Sequence, residues 1–206
     1  MPLTVNEIFQ SLQGEGPALG APATFVRLAG CNLDCSYCDT AHESGRPMAT
    51  GAVLAAAAGG PGRVVITGGE PMLAGEQLVE LARAIRGSGG RVDIETNGTI
   101  APPAGLAELV ENFVISPKLS NSGVPASRRE LAPGLPPGPL KFAVDTVEDL
   151  DEIAWLAGLH PGRDVIVMPL GTDARLMLEK MALLAEPVRA RGWRLLPRLQ
   201  VLLGIR

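Results

Sequence analysis

Short apolar runs alternate with helical patterns along most of the chain. Runs rich in Val, Ile, Phe and Leu predict six strands, at residues 24–29, 63–67, 91–95, 112–116, 140–144 and 164–168. After the second run, apolar residues recur at helical spacing, and the glycines of residues 87–90 are expected to end that helix. The apolar positions of this helix are Leu78, Leu81, Ala82 and Ile85. Strands that alternate with helices predict a mostly parallel sheet with right-handed crossovers.

Two further helices are expected in the second half of the chain. Thr146 is the predicted N-cap of one of them, at the start of an imperfect capping box. The other is predicted over residues 172–191, where Pro187 should kink it or end it early. Residues 119–139 hold five prolines and three glycines. We therefore expect a long loop there, with one helical turn near residues 128–131.

The number of repeats limits the architecture. A closed eight-stranded barrel of this kind typically needs about 250 residues, whereas the 206 residues of this chain hold six predicted strands. The expected fold is therefore α/β: a partial, open TIM-like (β/α)6 barrel that forms one domain over residues 1–206. In such folds the chemistry lies at the C-terminal ends of the strands. The candidate residues of this chain follow the predicted strands in the same way.

Composition excludes several classes of protein. Hydrophobic residues make up 46% of the chain and the mean hydropathy is +0.21, which is typical of a globular protein. A net charge of −4 argues against a nucleic-acid binder, which would usually carry a basic face. The first residues lack the pattern of a signal peptide, and no apolar run is long enough to span a bilayer. We expect a cytoplasmic protein without nucleic-acid or membrane partners, in a compartment that keeps thiols reduced.

The three cysteines of the chain, Cys31, Cys35 and Cys38, lie within eight residues. An odd number of cysteines cannot all pair in disulfides within one chain. An iron–sulfur cluster normally takes four cysteine ligands, so three thiolates would leave one iron open to a ligand that is not protein. The alternative is a zinc site, in which His42 would complete a tetrahedral set of ligands. From the residues alone both metal centres stay open, and the cysteine cluster favours iron and sulfur.

The spacing CxxxCxxC resembles the motif of the radical S-adenosylmethionine (SAM) superfamily. Gly68-Gly69-Glu70-Pro71, one β–α unit later, resembles the second signature of that superfamily. The resemblance implies that the three thiolates hold a 4Fe–4S cluster whose open iron chelates SAM. It also implies an external electron donor, such as a flavodoxin, because reductive cleavage of SAM gives a 5′-deoxyadenosyl radical. The cofactor would then carry the hard chemistry.

Five segments, in order along the chain, narrow the resemblance to the 7-carboxy-7-deazaguanine synthases. They are residues 6–16, 25–31, 38–40, 94–98 and 116–118. This family implies a lyase that converts 6-carboxy-5,6,7,8-tetrahydropterin to 7-carboxy-7-deazaguanine and releases ammonia, a step of 7-deazapurine and queuosine biosynthesis. The radical would abstract hydrogen from substrate C6, and Mg²⁺ and a homodimer are implied as well. Two alternatives stay open: another small radical SAM enzyme, such as a glycyl-radical activase, and a zinc-bound protein without enzymatic activity.

The resemblance also implies roles for individual residues. Cys31, Cys35 and Cys38 are the implied catalytic cluster ligands, and Thr40 is the implied Mg²⁺ ligand. Contacts with substrate are implied for Leu12, Gln13, Gly14, Arg27, Thr67, Glu95, Gln200 and the terminal carboxylate of Arg206. Contacts with SAM are implied for Tyr37, Asp39, Gly69, Glu70, Ser116, Pro117 and Lys118.

Three positions carry alternatives or depart from the family pattern. A charge within an apolar strand needs a partner, so Arg27 is expected to bind a substrate carboxylate bidentately or to pair internally with Glu15 or Glu95. Gln200 stands where the family often has a histidine, so this position can form hydrogen bonds but cannot titrate near neutral pH. Met168 stands where relatives carry a glutamine, and we expect it to contribute packing only.

Overall fold

Within residues 2–206, which the computed structural model describes, nine strands form one open, mixed sheet. The strands are β1 (Leu3–Leu12), β2 (Pro22–Leu28), β3 (Arg46–Met48), β4 (Arg63–Gly68), β5 (Arg91–Thr96), β6 (Asn112–Ile115), β7 (Leu140–Val144), β8 (Val165–Pro169) and β9 (Arg194–Leu195). The sheet order is β3-β1-β2-β4-β5-β6-β7-β8-β9, so β3 and β9 are edges and the sheet does not close. Neighbours from β2 to β9 are parallel, whereas β1 pairs antiparallel with β2 and β3. The expected open, partial barrel is confirmed.

All six predicted strands are present, as β2 and β4 to β8. Their ends differ from the predicted ends by at most two residues. These strands lie in the interior of the sheet, and most of their residues are buried on both faces; in β8 all five residues are buried. A parallel strand that is covered on both faces reads as a continuous apolar run, which is why the hydrophobic pattern predicted these strands well.

The described residues also form five α-helices. They are α1 (Thr50–Ala57), α2 (Glu76–Gly87), α3 (Asp149–Leu159), α4 (Ala174–Ala190) and α5 (Leu199–Leu203). Helix α2 buries its predicted apolar face against the sheet and ends just before Gly89, whose φ is 83°. In the part of the chain that the structure covers, no helix combines the length and apolar character needed to cross a membrane.

The predicted start of α3 is wrong. The helix begins at Asp149, and Thr146 is not its N-cap. The side chain of Asp149 instead reaches back and accepts hydrogen bonds from the backbone N–H groups of Asp145 and Thr146, at 2.7 and 3.1 Å. The contact with the Thr146 N–H is the one that the acidic residue of a capping box makes, so this half of the predicted box is present although the helix begins later than predicted.

The predicted early end of α4 is also wrong. The helix continues past Pro187 to its last residue, Ala190. The carbonyl that lacks an N–H partner at a helical proline is that of residue i−4, here Leu183, which is exposed so that water can replace the missing donor. In the long loop, the helical turns are short 3₁₀ turns at Ser120–Ser122 and Ala126–Arg128, slightly before the predicted position.

Five elements were not predicted: β1, β3, α1, β9 and α5. Two of them build the functional end of the sheet. Strand β1 runs beside β2, and α5 follows β9 and lies against the end of β1, where the Leu199 backbone N–H donates to the Gly14 carbonyl at 2.9 Å. The two ends of the described chain therefore meet at the same side of the sheet.

Candidate active site

A cavity of about 810 Å³ opens at the C-terminal ends of the parallel strands. Its wall is formed by the ends of β1, β2, β4, β5, β7 and β8, by the loops that follow them, and by α5. Most of the predicted site residues meet in this wall: Leu12, Gln13, Gly14, Arg27, Cys31, Cys35, Tyr37, Cys38, Asp39, Thr40, Thr67, Gly69, Glu95, Ser116, Lys118, Gln200 and Arg206. Glu70 and Pro117 lie outside the lining.

A row of polar side chains crosses the sheet along this cavity. The strand register places Glu7 opposite Arg27, and Arg27 opposite Thr67. On the next strand, Glu95 accepts a hydrogen bond from Thr67, with 3.1 Å between Oγ1 and Oε2. Residues that lie opposite each other on paired strands face the same side of a sheet. The row therefore presents a guanidinium, a hydroxyl and a carboxylate, in that order, to a molecule bound in the cavity.

Glu7 is the internal partner of Arg27. The Arg27 Nε lies 2.9 Å from Glu7 Oε1, and its Nη1 donates to Thr40 Oγ1 at 3.4 Å. The predicted internal alternative, a pair with Glu15 or Glu95, is wrong, because a lysine described below pairs with both of these carboxylates. The side chain of Arg27 is 21% exposed, so part of its guanidinium remains open to the cavity.

Arg206 lies at the same side of the cavity. Its guanidinium pairs with Glu7 and lies over the ring of Phe9, with 4.7 Å between the guanidinium carbon and the ring centroid. A main-chain carboxyl oxygen of Arg206 accepts a hydrogen bond from Ser11 Oγ on β1. Arg206 therefore meets the cavity with its side chain, while its main chain is held by the first strand.

A chain of ion pairs joins five charged residues behind the polar row. Lys141 Nζ lies 2.6 Å from Glu15 and 3.6 Å from Glu95. Arg198 Nε lies 3.2 Å from the same Glu15, and its Nη2 pairs with Asp39. Lys141 and Arg198 were missed as site residues. The available signal was the lysine itself, the one cation within the apolar run of β7.

Burial and charge compete within this network. Burial alone would raise the pKa of Glu15, but the neighbouring Lys141 and Arg198 outweigh it and lower the pKa to about 2. Burial likewise opposes the charge on Lys141, but Glu15 and Glu95 outweigh that effect and raise its pKa above the ordinary value. Nearby opposite charges favour the charged form of each partner. Both residues are therefore ionised at neutral pH.

Two glutamines complete the hydrogen bonds of these carboxylates. Gln13 Nε2 donates to Glu95 Oε1 at 3.2 Å, and Gln200 Nε2 donates to Glu15 Oε1 at 2.9 Å. Gly14 permits the second contact, because a β-carbon at this position would overlap the side-chain amide of Gln200. The side-chain amide of Gln200 is thus held by Glu15 at the cavity wall.

The three cysteines lie on the loop between β2 and β3, in the cavity wall. Cys31 and Cys35 are half-buried and Cys38 is exposed. Burial raises the pKa of the Cys31 and Cys35 thiols, and binding to iron would replace their protons. Thiolates are soft ligands that suit an iron–sulfur cluster. These residues therefore fit the cluster that the motif implies.

The zinc alternative has less support from the geometry. Among residues 2–206, no three His, Cys, Asp or Glu side chains are arranged to hold one metal ion. A tetrahedral zinc site needs its ligands to converge on a single ion at about 2.0–2.3 Å. The ligands of a cluster bind different iron atoms, so they need not converge in this way. A closed site that includes His42 is therefore not preformed in the described chain.

Polar contacts attach the cysteine loop to the end of β5. Asn97 Nδ2 donates to Asn32 Oδ1 at 3.0 Å, and Asn32 Nδ2 donates to Thr99 Oγ1 at 2.8 Å. From the long loop after β6, Arg128 Nη2 donates to the Asn32 carbonyl at 2.6 Å. Leu33 anchors the loop in the core with 2% exposure. The loop therefore has a fixed path between its cysteines.

Two glycines let the second signature contact the start of this loop. Gly68 has a φ of 143°, and a β-carbon on Gly69 would overlap the Gly30 carbonyl. The backbone N–H of Glu70 donates to that same carbonyl at 2.9 Å. A side chain larger than hydrogen at residue 69 would push the two segments apart. The two signatures are therefore joined directly through their backbones.

The carboxylate of Glu70 is buried outside the cavity. It accepts hydrogen bonds from the backbone N–H groups of Met72 and Asn97, at 2.9 and 2.7 Å, and from Thr96 Oγ1 at 2.7 Å. Burial raises the pKa of Glu70 above its ordinary range, while these donors act in the opposite direction. Glu70 thus ties the end of β4 to the end of β5, and its contact with SAM stays a prediction.

Four further residues of the cavity lining are Ser116, Lys118, Tyr37 and Met168. Lys118 Nζ donates to Ser116 Oγ at 3.1 Å, and burial lowers the pKa of this lysine. Burial also raises the pKa of Tyr37, which therefore stays neutral at physiological pH. Met168 also lines the cavity and is 4% exposed. These side chains give this part of the cavity two hydroxyls, one amine and one thioether.

Comparison with known proteins identifies relatives over nearly the full length. The model of the radical SAM superfamily matches residues 26–127. A 7-carboxy-7-deazaguanine synthase of Pyrobaculum aerophilum is 38% identical over 208 residues, which cover 96% of this chain and 93% of that protein. One of Methanospirillum hungatei is 39% identical over 176 residues, which cover 83% of this chain and 74% of that protein.

Solved structures give the same picture of the fold. The crystal structure of QueE from Escherichia coli superimposes with a TM-score of 0.71 at 28% identity, covering 96% of this chain and 94% of that chain. SuiB from Streptococcus suis, bound to its precursor peptide SuiA, superimposes with a TM-score of 0.55 at 16% identity. The match covers 81% of this chain and 46% of the SuiB chain. The second likeness concerns the fold alone.

Proposed function

The chain belongs to the 7-carboxy-7-deazaguanine synthase family of radical SAM enzymes, and on this basis we propose that it converts 6-carboxy-5,6,7,8-tetrahydropterin to 7-carboxy-7-deazaguanine with loss of ammonia. The proposal is carried by one observation: Arg27, Thr67 and Glu95 face the same cavity as the three thiols. A flat, polar ring with one carboxylate matches such a row, because a guanidinium can bind the carboxylate bidentately and the other groups can bind the ring edge.

The cluster and SAM would occupy the side of the cavity next to the cysteine loop. Cys31, Cys35 and Cys38 would hold the 4Fe–4S cluster, and when bound the cluster and SAM supply the 5′-deoxyadenosyl radical for abstraction of hydrogen from substrate C6. The residues proposed to bind SAM are Tyr37, Asp39, Gly69, Glu70, Ser116, Pro117 and Lys118. Burial lowers the pKa of Lys118 there, and an anionic group such as the SAM carboxylate would favour the charged form of this lysine.

The substrate would lie against the polar row. Glu7 fixes the Nε of Arg27, so the outer edge of the guanidinium would be presented to the substrate carboxylate. Glu95, held by Gln13 and Thr67, would accept hydrogen bonds from N–H groups of the ring. A carboxylate that is already fixed by protein donors loses little conformational freedom when the ring binds.

The remaining implied contacts lie around this position. Leu12, Gly14, Gln200 and Arg206 line the cavity beside the row and are proposed to contact the substrate. Thr40 would bind Mg²⁺ through its hydroxyl, since Mg²⁺ prefers oxygen ligands and keeps several waters. We further propose an external electron donor such as a flavodoxin, a homodimeric assembly, a cytoplasmic location and a role in 7-deazapurine or queuosine biosynthesis.

The deciding experiment is an anaerobic turnover assay. Protein with reconstituted cluster is incubated with SAM, a strong reductant, Mg²⁺ and the carboxytetrahydropterin, and the products are identified by mass spectrometry. We expect 7-carboxy-7-deazaguanine together with 5′-deoxyadenosine. Formation of 5′-deoxyadenosine without the deazaguanine would reject the proposed substrate and favour another radical SAM activity, such as that of a glycyl-radical activase.

The variant Arg27→Ala tests the substrate side of the proposal. It should bind the pterin at least about 30-fold more weakly, since loss of a bidentate charged contact typically costs 2 kcal/mol or more. SAM binding should stay unchanged. Arg83→Ala, on the exposed face of α2, is the matched control and should behave as wild type.

A further inference from the structure

Lys141 joins two walls of the cavity. It lies on β7, it is 5% exposed, and its ammonium stands between Glu15, which follows β1, and Glu95, which belongs to β5. The distances are 2.6 Å to Glu15 and 3.6 Å to Glu95. A lysine that is nearly fully buried is held there only by its charged partners, so these two contacts determine where its ammonium lies.

The two carboxylates depend on Lys141 to different degrees. Glu15 has a second cation, because Arg198 Nε lies 3.2 Å away, and it also accepts a hydrogen bond from Gln200 at 2.9 Å. Glu15 therefore keeps a positive partner when Lys141 is removed. The ion pair with Glu15 therefore does not by itself explain why residue 141 is a lysine.

Glu95 has no second cation of this kind among the described residues. Its other partners are the neutral side chains of Gln13, at 3.2 Å from Oε1, and Thr67, at 3.1 Å from Oε2. Within the described residues 2–206, Lys141 is the only cation that forms an ion pair with Glu95. When a ligand displaces water from this carboxylate, the cost of leaving a buried charge without a partner rises steeply. Lys141 is placed to offset that cost.

We propose that Lys141 is a positioning residue for the substrate, which holds the Glu95 carboxylate in place and offsets its charge while the ring of the pterin excludes water from it. The inference rests on the proposed function, because Glu95 is the group proposed to bind the N–H donors of the ring. Lys141 acts through Glu95 and need not touch the substrate. Loss of its charge should therefore weaken binding of the ring more than it slows the chemical step.

The test compares Lys141→Met, Lys141→Arg and wild type as cluster-loaded, SAM-bound proteins. Affinity for 6-carboxytetrahydropterin is measured anaerobically by calorimetry without reductant, and KM and kcat are measured separately with reductant. Removal of one partner of a buried charge pair typically costs 2 kcal/mol or more, so Lys141→Met should bind at least about 30-fold more weakly, with KM raised more than kcat is lowered. Lys141→Arg, which keeps the charge, should recover most of the affinity.

A double variant separates positioning from a structural role. In Glu15→Gln/Lys141→Met the lysine and its closer carboxylate are both neutral, so no buried charge of that pair is left alone. We expect the affinity for the pterin to stay low in this variant, whatever its melting temperature, because Glu95 still lacks its cation. If Lys141 served only to neutralise Glu15, the double variant would recover the affinity, and that result would overturn the inference.

The failure of this inference is distinguishable from failure of the proposed function. A wild-type protein that neither binds nor converts the pterin overturns the proposed function and this inference with it. Tight binding by wild type and equal binding by Lys141→Met overturns the inference alone. Affinity for SAM is measured in the same variants, and a loss of SAM affinity as large as the loss of pterin affinity in Lys141→Met would also overturn the inference, because Lys141 would then support the whole cavity and not Glu95 in particular.

Discussion

Glu70 provides a sharp test of how the second signature works. Its carboxylate accepts three hydrogen bonds, from Met72 N, Thr96 Oγ1 and Asn97 N, and the residue is 1% exposed. Glu70→Ala would leave three buried donors without a partner. If the residue acts mainly by tying β4 to β5, its removal must reduce the stability of the protein even when SAM and the cluster are absent.

The size of the effect follows from these contacts. Each buried donor left unsatisfied costs about 1–3 kcal/mol, so three donors cost about 3–9 kcal/mol. The lower part of this range applies, because burial already raises the pKa of Glu70 and removal of the carboxylate relieves that unfavourable desolvation. A loss of about 3–5 kcal/mol lowers the melting temperature by about 6–20 °C in a protein of this size.

Glu70→Gln should have an intermediate effect. Its carbonyl can still accept from Met72 N and Thr96 Oγ1, which share one carboxylate oxygen. Its amide NH₂ would face the N–H of Asn97 and leave one donor unsatisfied, at a cost of about 1–3 kcal/mol. The order of stability should therefore be wild type, then Glu70→Gln, then Glu70→Ala.

The assay is thermal unfolding of the cluster-free protein, followed by circular dichroism at neutral pH. Glu80→Ala, on the exposed face of α2, is the matched control and should melt with wild type. The reasoning is refuted if Glu70→Ala melts within about 2 °C of wild type while its affinity for SAM falls. That combination would show that the carboxylate acts on the cofactor and not on the sheet.

Three further predictions concern the cavity. Cys35→Ala should leave the reconstituted protein without the absorbance of a 4Fe–4S cluster, because only two cysteine ligands remain; a retained spectrum would contradict this. Gly69→Ala should reduce both cluster incorporation and thermal stability, because its methyl group overlaps the Gly30 carbonyl, and unchanged values of both would exclude that clash. The free energy of unfolding should fall as pH drops from about 5 to 2, because the pKa of Glu15 is lowered to about 2 in the folded protein and stability gained above its unfolded pKa is lost on protonation. Urea titrations should show a weaker pH dependence over this range in Glu15→Gln, and an equal dependence would assign the acid sensitivity to other groups.

The parts of the fold that could be predicted are those in which the pattern of apolar and polar residues follows directly from burial. The interior parallel strands are apolar along their whole length, and α2 carries a clear amphipathic pattern. Strand β1 was missed because polar residues interrupt it at Asn6, Glu7, Gln10 and Ser11. Its second half borders the cavity, so it does not follow the burial pattern of a core strand. Helix α5 has only five residues, too few for its periodicity to be read.

The residues of the site could be predicted from short motifs, whereas the contacts between them could not. Most implied residues line the cavity because short motifs at strand ends fix both the local backbone and the side chains together. The contacts between distant segments were not predictable. Nothing in the sequence indicates that Arg27 pairs with Glu7 rather than with Glu15 or Glu95, since strand register decides it. Lys141 is the one cation within the apolar run of β7, but the sequence does not show which carboxylates this cation contacts.

Residues 198–206 complete the cavity only by contacting the first part of the chain. The Arg198 contact with Glu15 spans 183 positions, and the Arg206 contact with Glu7 spans 199. A ribosome that adds about 5–20 residues per second would release the cysteine loop roughly 10–30 s before this wall can form. During that interval the nascent chain exposes its three thiols more fully than the finished protein does. They are then open to oxidants as well as to any assembly factor that delivers iron and sulfide.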